Sequence, residues 1–459
     1  MDSQDTIAAI ATALGEASIA VIRVSGDHAL DIVDRVFSGK QSLQHVDSHT
    51  VHYGHIVSFH DHTPLDEVLV TVMRSPRSYT TEDVVEISTH GGTQTVQAVL
   101  LELLRAGARL ASPGEFTKRA FLGGRIDLSQ AEGVMELIGA HTAAARQAAL
   151  KQVEGSLSFR VKELRERLLQ LMAHVEVTID YPEHDEEEAT TERVFEGCTS
   201  VLEDVSQMLE TADQGRILRD GIQTAIIGRP NVGKSSLLNL LVRKERAIVT
   251  DIPGTTRDVL EEFIQVEGVP FHILDTAGIR ETSDVVEKIG VDRSRKAMAE
   301  ADLLLLVIDS SRKLSEEDER LLELSQKQST IVILSKSDLD RVVSVEDVKQ
   351  RAPDSICVPF SVKDPRLLQD LEHAMVDKIS RGQMKPRDAT FIANARHVRL
   401  LEQTKELLEQ VLHSANEGQT LDLVAVDLYQ AWVTLGEIIG ETPREDLLDQ
   451  IFTQFCLGK

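Results

Sequence analysis

Short apolar runs alternate with polar segments through the first 120 residues, and this pattern predicts a mixture of strands and helices. Residues 20–24, 68–72 and 84–87 are apolar runs of strand length. Apolar positions then recur at helical spacing over residues 95–104. Residues 112–115, Ser-Pro-Gly-Glu, match a capping box with proline at the first helical position. The pattern predicts an α+β N-terminal domain.

The next hundred residues and the C-terminal stretch have the period of helices. Ser129-Gln130-Ala131-Glu132 has the residues of a cap and predicts a long helix through Ala149, and residues 161–177 repeat apolar positions at three and four. The acidic run at residues 183–188 indicates a solvated loop, with a metal site as the weaker alternative. Residues 398–412 are amphipathic, and residues 442–445 predict the cap of a last helix.

Between these helical stretches, strands and helices alternate. Apolar runs of strand length lie at residues 223–227, 271–274, 303–308, 330–334 and 356–359. Such alternation predicts a parallel sheet with crossover helices, inserted into one helical domain. We therefore predict a multidomain α+β and α/β chain, with an N-terminal domain over 1–120, a helical domain over 121–215 and 385–459, and an α/β domain over 216–384.

Charge and composition exclude several classes of protein. The 459 residues carry a formal net charge of −26, which excludes a phosphate-backbone binder that is basic over its whole surface. Aromatic residues make up only 4%, which argues against base stacking as the main mode of nucleic-acid binding. The longest aliphatic run, residues 303–308, is too short to cross a bilayer. The three cysteines lack metal-type spacing and are typical of reduced thiols, so we expect a cytoplasmic location without membrane insertion.

A phosphate-binding motif follows the first strand of the α/β block. Residues 228–235 read Gly-Arg-Pro-Asn-Val-Gly-Lys-Ser, a complete G-x-x-x-x-G-K-S loop before a helix predicted to open at Ser236. Its glycines let backbone N–H groups approach phosphate oxygens, and the helix N-terminus adds partial positive charge. We expect Lys234 to reach the outer phosphates and the Ser235 hydroxyl to ligate Mg²⁺.

Further motifs extend this loop to a nucleotide switch system. Asp275-Thr276-Ala277-Gly278 ends a strand, and residues 251–257 place a hydroxyl where Mg²⁺ is expected. Guanine-reading GTPases use Asn-Lys-x-Asp after a strand; here the tetrad is Ser335-Lys336-Ser337-Asp338. Asp338 fits guanine, and the replacement of Asn by Ser335 predicts a reduced affinity for it. Ser361-Val362-Lys363 stands where a second base-contacting loop is expected.

Taken over its whole length, the chain resembles the MnmE (TrmE) family of tRNA-modification GTPases. The specific marks are residues 112–121 (SPGEFTKRAF), residues 251–258 (DIPGTTRD), the C-terminal residues 455–459 (FCLGK) and the insertion into a helical domain. The resemblance implies a folate-binding-like N-terminal domain and a Ras-like P-loop G domain. It also implies a homodimer that forms a heterotetramer with an FAD-dependent MnmG-like partner.

The implied reaction adds an aminomethyl or carboxymethylaminomethyl group to C5 of the wobble uridine (U34) of certain tRNAs. The implied one-carbon donor is a folate, 5-formyl- or 5,10-methylene-tetrahydrofolate. K⁺ and dimerisation of the G domains are expected to activate GTP hydrolysis. An arginine finger often supplies positive charge between the phosphates, and the side-chain oxygen of Asn231 can hold a monovalent cation at that place.

The family assigns the remaining site residues. The K⁺ ligands are Asn231, Thr250, Ile252 and Thr255, and the Mg²⁺ ligands are Ser235 and Thr256. A glutamate that maps to Glu287 positions the attacking water, because Ile279, not glutamine, follows Gly278. The folate-binding residues map to Arg23, Glu82, Arg125 and Lys459. The GTP-binding set is Asn231, Val232, Gly233, Lys234, Ser235, Ser236, Thr250, Asp251, Ile252, Pro253, Gly254, Thr255, Thr256, Asp275, Thr276, Ala277, Gly278, Ser335, Lys336, Ser337, Asp338, Ser361, Val362 and Lys363.

Two other functions remain open from the sequence. A ribosome-assembly or regulatory GTPase explains the G-domain motifs but not the marks at the two ends of the chain. A folate-dependent one-carbon transferase with an accessory GTPase is the other. Cys456 is compatible with a redox or nucleophilic role and equally with local packing.

Overall fold

The computed structural model describes most of the chain. The described residues are 5–140, 142–181, 187–244, 262–274, 298, 301–326, 328–380, 394–441, 445–453, 455 and 458. Among the helices in these ranges, none combines the length and apolarity needed to cross a membrane.

The N-terminal part is a seven-stranded sheet in the order β3-β4-β5-β6-β2-β1-β7. Its buried face packs against two helices through residues such as Val70, Ile87, Val99 and Leu103. The three predicted strands and the helix over 95–104 are confirmed. The strands are β1 (Ile7–Ile10), β2 (Ile19–Ser25), β3 (Phe37–Gly39), β4 (Thr50–Val57), β5 (Pro64–Met73), β6 (Val84–His90) and β7 (Arg109–Leu110), and the helices are α1 (Ala29–Asp34), α2 (Thr93–Arg105) and α3 (Glu115–Leu122).

The predicted helix start at residues 112–115 is wrong. Helix α3 begins at Glu115, and Gly114 precedes it in the left-handed conformation with φ of 69°. A Cβ at this glycine would lie 2.3 Å from the carbonyl oxygen of Phe452, so a close approach of the C-terminal backbone selects glycine there. The Glu115 carboxylate still accepts a hydrogen bond from the Ser112 N–H at 2.8 Å, which is one half of the predicted box.

Five helices follow, and they correct the prediction of a long helix through Ala149. The chain forms two helices there, because Gly139 ends the first and Thr142 caps the second. Asp127, and not Ser129, provides the first cap in a reciprocal box with Gln130. The predicted helix over 161–177 is confirmed. Of the acidic run, residues 183–186 lie outside the described part, and Glu187 and Glu188 begin a helix, so the predicted loop does not extend over these two residues. The five helices are α4 (Leu128–Ile138), α5 (Ala143–Val153), α6 (Ser156–Asp180), α7 (Glu187–Glu210) and α8 (Ala212–Asp220).

The α/β block contains a six-stranded sheet in the order β13-β12-β11-β8-β10-β9. All five predicted strands are confirmed and pair in parallel. The sequence missed β9, which pairs antiparallel with β10 across a turn where Glu267 and Gly268 both have positive φ. The strands are β8 (Ile222–Ile227), β9 (Glu262–Val266), β10 (Val269–Leu274), β11 (Leu303–Asp309), β12 (Thr330–Ser335) and β13 (Ile356–Pro359), and the helices are α9 (Lys234–Lys244), α10 (Glu316–Ser325), α11 (Val345–Lys349) and α12 (Pro365–Ser380).

Three C-terminal helices complete one helical core with those that precede the α/β block. Leu164 and Val201 share that core with Leu401 and Leu428, so the two segments pack as one unit. The prediction of an amphipathic helix over 398–412 is confirmed, and residues 442–444 of the predicted last cap lie outside the described part. The helices are α13 (Ala395–Asn416), α14 (Leu421–Ile439) and α15 (Glu445–Phe452).

A buried ion cluster joins the two segments of the helical unit. Glu132 of α4 accepts hydrogen bonds from Arg396 Nε and Nη2 of α13 at 2.9 and 2.7 Å. His397 Nε2 lies 2.6 Å from the same carboxylate. Burial opposes ionisation of Glu132, but these two partners outweigh it and lower its pKa. Breaking such a buried pair is costly, so the cluster fixes the register of α4 on α13.

Candidate functional site

The phosphate loop joins the end of β8 to α9 and has the backbone that its glycines permit. Gly228 has a φ of 143°, and a Cβ there would lie 2.3 Å from the carbonyl oxygen of Val307. Gly233 has a φ of 108°, and the exposed residue Asn231 is left-handed with a φ of 64°. The loop therefore curls back over the carboxyl ends of the parallel strands, where open α/β sheets bind their ligands.

The side chain of Lys234 closes this loop. Its Nζ donates hydrogen bonds to the carbonyl oxygens of Gly228 and Arg229 at 2.6 and 2.7 Å. Burial lowers the pKa of this ammonium group. Helix α9 begins at Lys234, two residues earlier than predicted, so Ser235 and Ser236 lie in its first turn, where backbone N–H groups favour an anion.

Ser335 connects the base-recognition tetrad to the phosphate loop. It ends β12, is 2% exposed, and donates a hydrogen bond from Oγ to the carbonyl oxygen of Val232 at 2.6 Å. The carbonyl oxygen of Ile308 lies 3.0 Å from the same hydroxyl. Because the shorter serine side chain reaches the phosphate loop directly, it has a structural function that the sequence did not reveal.

The rest of the tetrad is held by charged contacts. Lys336 is left-handed, and its Nζ donates to Asp309 Oδ2 at 2.6 Å. Burial alone would raise the pKa of Asp309, but Lys336 holds it below its usual value. In the same loop, the Ser337 N–H donates to the carbonyl oxygen of Phe360 at 3.1 Å. This bond draws the tetrad toward the strand that precedes residues 361–363.

The predicted second base loop meets Asp338. Lys363 Nζ lies 2.8 Å from Asp338 Oδ2, and the Ser361 hydroxyl donates to Asp338 Oδ1 at 2.8 Å. These two partners, Lys363 first, lower the pKa of Asp338, so the carboxylate stays ionised at neutral pH. The side chain of Lys363 is 78% exposed and Val362 is also exposed, so the lysine is free to rotate away from the carboxylate.

A further tether on the phosphate loop was not apparent in the sequence. Arg229 binds Asp318 through two parallel contacts, Nε to Oδ1 at 2.9 Å and Nη2 to Oδ2 at 2.8 Å. Asp318 is buried and also caps α10 by accepting from the Ser315 N–H and hydroxyl. A forked Arg–carboxylate pair has a defined geometry, so α10 positions the start of the loop. The two residues are 89 positions apart, and nothing local predicts the pair.

Several predicted residues lie outside the described part of the chain. They are Thr250, Asp251, Ile252, Pro253, Gly254, Thr255, Thr256, Asp275, Thr276, Ala277, Gly278, Glu287, Cys456 and Lys459.

Two of the predicted folate-binding residues meet at one aromatic ring. The guanidinium carbons of Arg23 and Arg125 lie over the ring of Tyr79, at 5.3 and 5.1 Å from its centroid. Arg23 also lies over Phe116 and is paired with Glu86, with Nη2 at 2.8 Å from Oε1. Tyr79 and Phe116, which the sequence did not assign to this site, thus complete a cationic and aromatic corner suited to a carboxylate on a flat ligand.

Glu82 lies in a different network from the two arginines. Its Oε2 accepts from the Ser25 hydroxyl at 2.7 Å, and Arg119 Nη1 donates to both carboxylate oxygens at 3.1 and 3.2 Å. Arg23 Nη1 donates a hydrogen bond to the carbonyl oxygen of Gly458 at 3.4 Å, so the C-terminal tail reaches the corner formed by Arg23, Tyr79 and Phe116. Arg119, missed by the sequence analysis, is the residue that holds Glu82.

Known proteins match this chain over its whole length. A family model described as the MnmE helical domain matches residues 128–456, and one described as the GTP-binding protein TrmE N-terminus matches residues 6–125. The tRNA modification GTPase MnmE of Geobacillus thermodenitrificans is 52% identical over 100% of both chains. That of Bacillus subtilis is 51% identical over 99% of this chain and 100% of its own.

A solved structure also resembles part of the chain. The G domain of the FeoB iron transporter of T. maritima is 25% identical, covering 34% of this chain and 98% of that one, with a TM-score of 0.26. The full-length relatives and the two family models decide the assignment: the chain belongs to the MnmE (TrmE) family of tRNA-modification GTPases.

Proposed function

We propose that this protein is a K⁺-activated GTP hydrolase of tRNA modification. With an FAD-dependent MnmG-like partner, it adds an aminomethyl or carboxymethylaminomethyl group to C5 of the wobble uridine, U34, of certain tRNAs. The observation that carries the proposal is the tie between the phosphate loop and the base-recognition loop through Ser335, in a chain about half identical to full-length MnmE proteins. We propose that the N-terminal domain spans residues 1–120, the helical domain residues 121–215 and 385–459, and the G domain residues 216–384.

The phosphate loop accounts for the binding of the triphosphate. When a nucleotide enters, the Nζ of Lys234 exchanges the carbonyl oxygens of Gly228 and Arg229 for phosphate oxygens. The first turn of α9 adds backbone N–H donors and the positive end of the helix dipole. Hydrolysis of a phosphoanhydride depends mostly on such positioning and charge stabilisation.

The base site supports guanine over adenine. The ionised carboxylate of Asp338 accepts two guanine N–H groups once Ser361 and Lys363 release it. Adenine lacks the equivalent donor pair and would leave the carboxylate unpaired, at a cost of about 1–3 kcal/mol.

The metal requirement rests on residues of the same loop and on the family. Asn231 is exposed, and within the described residues its side chain makes no hydrogen bond, so its amide oxygen suits a K⁺ ion beside the phosphates. Ser235, in the first turn of α9, suits Mg²⁺. We propose Thr250, Ile252 and Thr255 as the other K⁺ ligands, with Thr256 on Mg²⁺. The K⁺ ion supplies positive charge between the phosphates, and we propose that Glu287 orients the attacking water.

The N-terminal domain supports a folate site. Arg23 and Arg125 beside Tyr79 offer two cations to the glutamate carboxylates of 5-formyl- or 5,10-methylene-tetrahydrofolate and an aromatic face to its ring. The folate supplies the one-carbon unit. The Glu82 carboxylate already accepts hydrogen bonds from Arg119, so it accepts pterin N–H groups in addition to this arginine. We propose Lys459 as the last member of the site.

Assembly as a homodimer is supported by the outer face of the N-terminal sheet. Val51, Tyr53 and Leu69 are exposed apolar residues on neighbouring strands, and Tyr53 pairs directly with Leu69. Such a patch on a sheet is typical of a protein interface. We further propose a heterotetramer with the MnmG-like protein in the cytoplasm. Because the chain has a net charge of −26, that partner supplies much of the tRNA-binding surface.

A reconstituted reaction tests the proposal. The purified chain, an MnmG-like protein with FAD, unmodified tRNA, GTP, K⁺, Mg²⁺ and methylene-tetrahydrofolate are combined with an amine donor, ammonium for the aminomethyl group or glycine for the carboxymethylaminomethyl group, and the nucleosides are analysed by mass spectrometry. A mass increase at the wobble uridine that requires both proteins, GTP and the folate would support the proposed function. Unmodified uridine in the complete mixture would contradict the proposed function, provided that the same partner modifies the tRNA together with another MnmE protein.

A further inference from the structure

A cavity of about 370 Å³ lies where the helical unit meets the α/β block. Helices α4 and α5 form one wall through residues that include Met135, Ala148 and Ala149, and α8 closes one side. Phe263 of β9 and His272 of β10 line the opposite wall. The volume of the cavity falls in the range of roughly 300–1,000 Å³ that is common for small-molecule sites. None of the predicted GTP-binding or folate-binding residues lines the cavity.

Glu136 of α4 lines this cavity, and one of its carboxylate oxygens has no hydrogen-bond partner among the described residues. Its side chain is 9% exposed, and its Oε1 is fully buried and makes no hydrogen bond within the described part of the chain. Arg219 Nη1 is 3.9 Å away, beyond hydrogen-bond distance. A buried oxygen of this kind carries a desolvation cost that a donor from a ligand would relieve.

The charges around Glu136 favour a cation. Arg219 is already bound to Asp220, with Nε to Oδ1 at 2.7 Å and Nη2 to Oδ2 at 2.9 Å. Glu132, one turn earlier on α4, is satisfied by its cluster with α13. Two carboxylates, Glu136 and Asp220, thus share one guanidinium at the cavity wall, and the site lacks one positive charge.

The opposite wall favours a flat apolar group. The rings of Phe263 and His272 stack with centroids 4.4 Å apart and an interplanar angle of 4°. His272 Nδ1 is 2.9 Å from Gln223 Oε1, which holds the imidazole ring in this plane. Together with the methyl groups of the alanines on α5, the stack forms a slot suited to an aromatic ring.

We propose that this cavity is a binding site for a small organic cation with a flat apolar body, whose N–H donors bind Glu136 while its ring lies beside Phe263. The site is independent of the GTP and folate sites, so it would bind its ligand whether or not the proposed tRNA reaction is correct. Because its walls belong to the helical unit and to the α/β block, an occupant also stabilises the contact between them.

The proposed interaction has a defined pH dependence. Burial raises the pKa of Glu136 to about 7, with Arg219 opposing this and Glu132 and Asp220 adding to it. His272, on β10, also faces the cavity. Only the ionised carboxylate attracts a cation, so affinity should rise by about tenfold between pH 6 and pH 8, as the ionised fraction of a group with such a pKa grows. A pH response of equal size in a variant that lacks the Glu136 carboxylate would contradict this assignment.

Benzamidine, a flat aromatic amidinium, is the probe, with benzamide as its neutral counterpart and benzoate as the anionic one. Isothermal titration with the full chain at pH 8 should show one benzamidine site, at least tenfold weaker binding of benzamide, and no binding of benzoate. Glu136→Gln keeps the shape of the side chain and should weaken benzamidine at least tenfold and abolish the pH response. Ala148→Leu should block the cavity.

GDP affinity separates this proposal from the proposed function. Both variants lie outside the GTP site and should bind GDP as the unchanged chain does, which also shows that they are folded. If benzamidine fails to bind saturably to a chain that binds GDP, or binds Glu136→Gln and Ala148→Leu as tightly as the unchanged chain, the cavity is not such a site. A failure of tRNA modification leaves these titrations unaffected.

Discussion

Replacing Ser335 by alanine removes the hydroxyl that ties the base-recognition loop to the phosphate loop. The lost hydrogen bond, from Oγ to the Val232 carbonyl oxygen at 2.6 Å, is buried. An acceptor left unsatisfied in such surroundings costs about 1–3 kcal/mol. Without this hydrogen bond, a smaller fraction of the free protein has both loops in the binding geometry. The apparent affinity for GDP falls in proportion to that fraction. We therefore expect GDP to bind about 5- to 150-fold more weakly.

Ser325→Ala is the matched control for this measurement. It removes a buried hydroxyl of the same domain that also donates to a carbonyl oxygen, that of Leu322 at 2.8 Å, and Ser325 is not among the predicted GTP-binding residues. Displacement of a fluorescent GDP analogue gives both dissociation constants, and thermal unfolding shows that both variants are folded. A Ser335→Ala dissociation constant within twofold of the unchanged protein, or equal effects of the two substitutions, would refute the tie.

Three further predictions concern the same domain. Exchanging Na⁺ for K⁺ should clearly raise GTP turnover, and Asn231→Lys should lose that response; equal rates of the unchanged chain in the two salts would exclude K⁺ activation. Glu287→Ala should lower kcat by about 100-fold or more while nucleotide binding barely changes, and a near-normal kcat would exclude a role of this residue in positioning the attacking water. Asp318→Asn leaves Arg229 without its charged partner and should lower the free energy of unfolding of the G domain by about 1–3 kcal/mol; an unchanged urea midpoint would show that the pair is dispensable.

The sequence was sufficient for elements whose signal is local. The strands of the α/β sheet are buried on both faces, so they appear as continuous apolar runs, and the phosphate loop has its chemistry within eight adjacent residues. Strand β9 was missed because its polar residues, Glu262 and Gln265, interrupt such a run on an edge strand. Gly139 ended a helix that the periodicity alone would have continued.

The contacts that join distant parts of the chain were beyond the sequence. Ser335 and Val232 are 103 residues apart, and Arg23 meets the backbone of Gly458 across 435 residues. A serine in place of asparagine predicted only a weaker guanine contact, since no periodicity or motif indicates which carbonyl oxygen its hydroxyl reaches. The aromatic ring of Tyr79 between two arginines is likewise a product of tertiary packing, in which loop and strand residues converge.

The most direct test of the account is the wobble-uridine content of tRNA from cells that lack this gene. Total tRNA is digested to nucleosides and quantified by mass spectrometry in the deletion strain and in strains complemented with the unchanged gene or with Lys234→Ala. We predict that 5-aminomethyl-type and 5-carboxymethylaminomethyl-type uridines disappear in the deletion strain, return with the unchanged gene, and stay absent with Lys234→Ala, because the phosphate loop loses its ammonium group. Unchanged levels of these nucleosides in the deletion strain would contradict it.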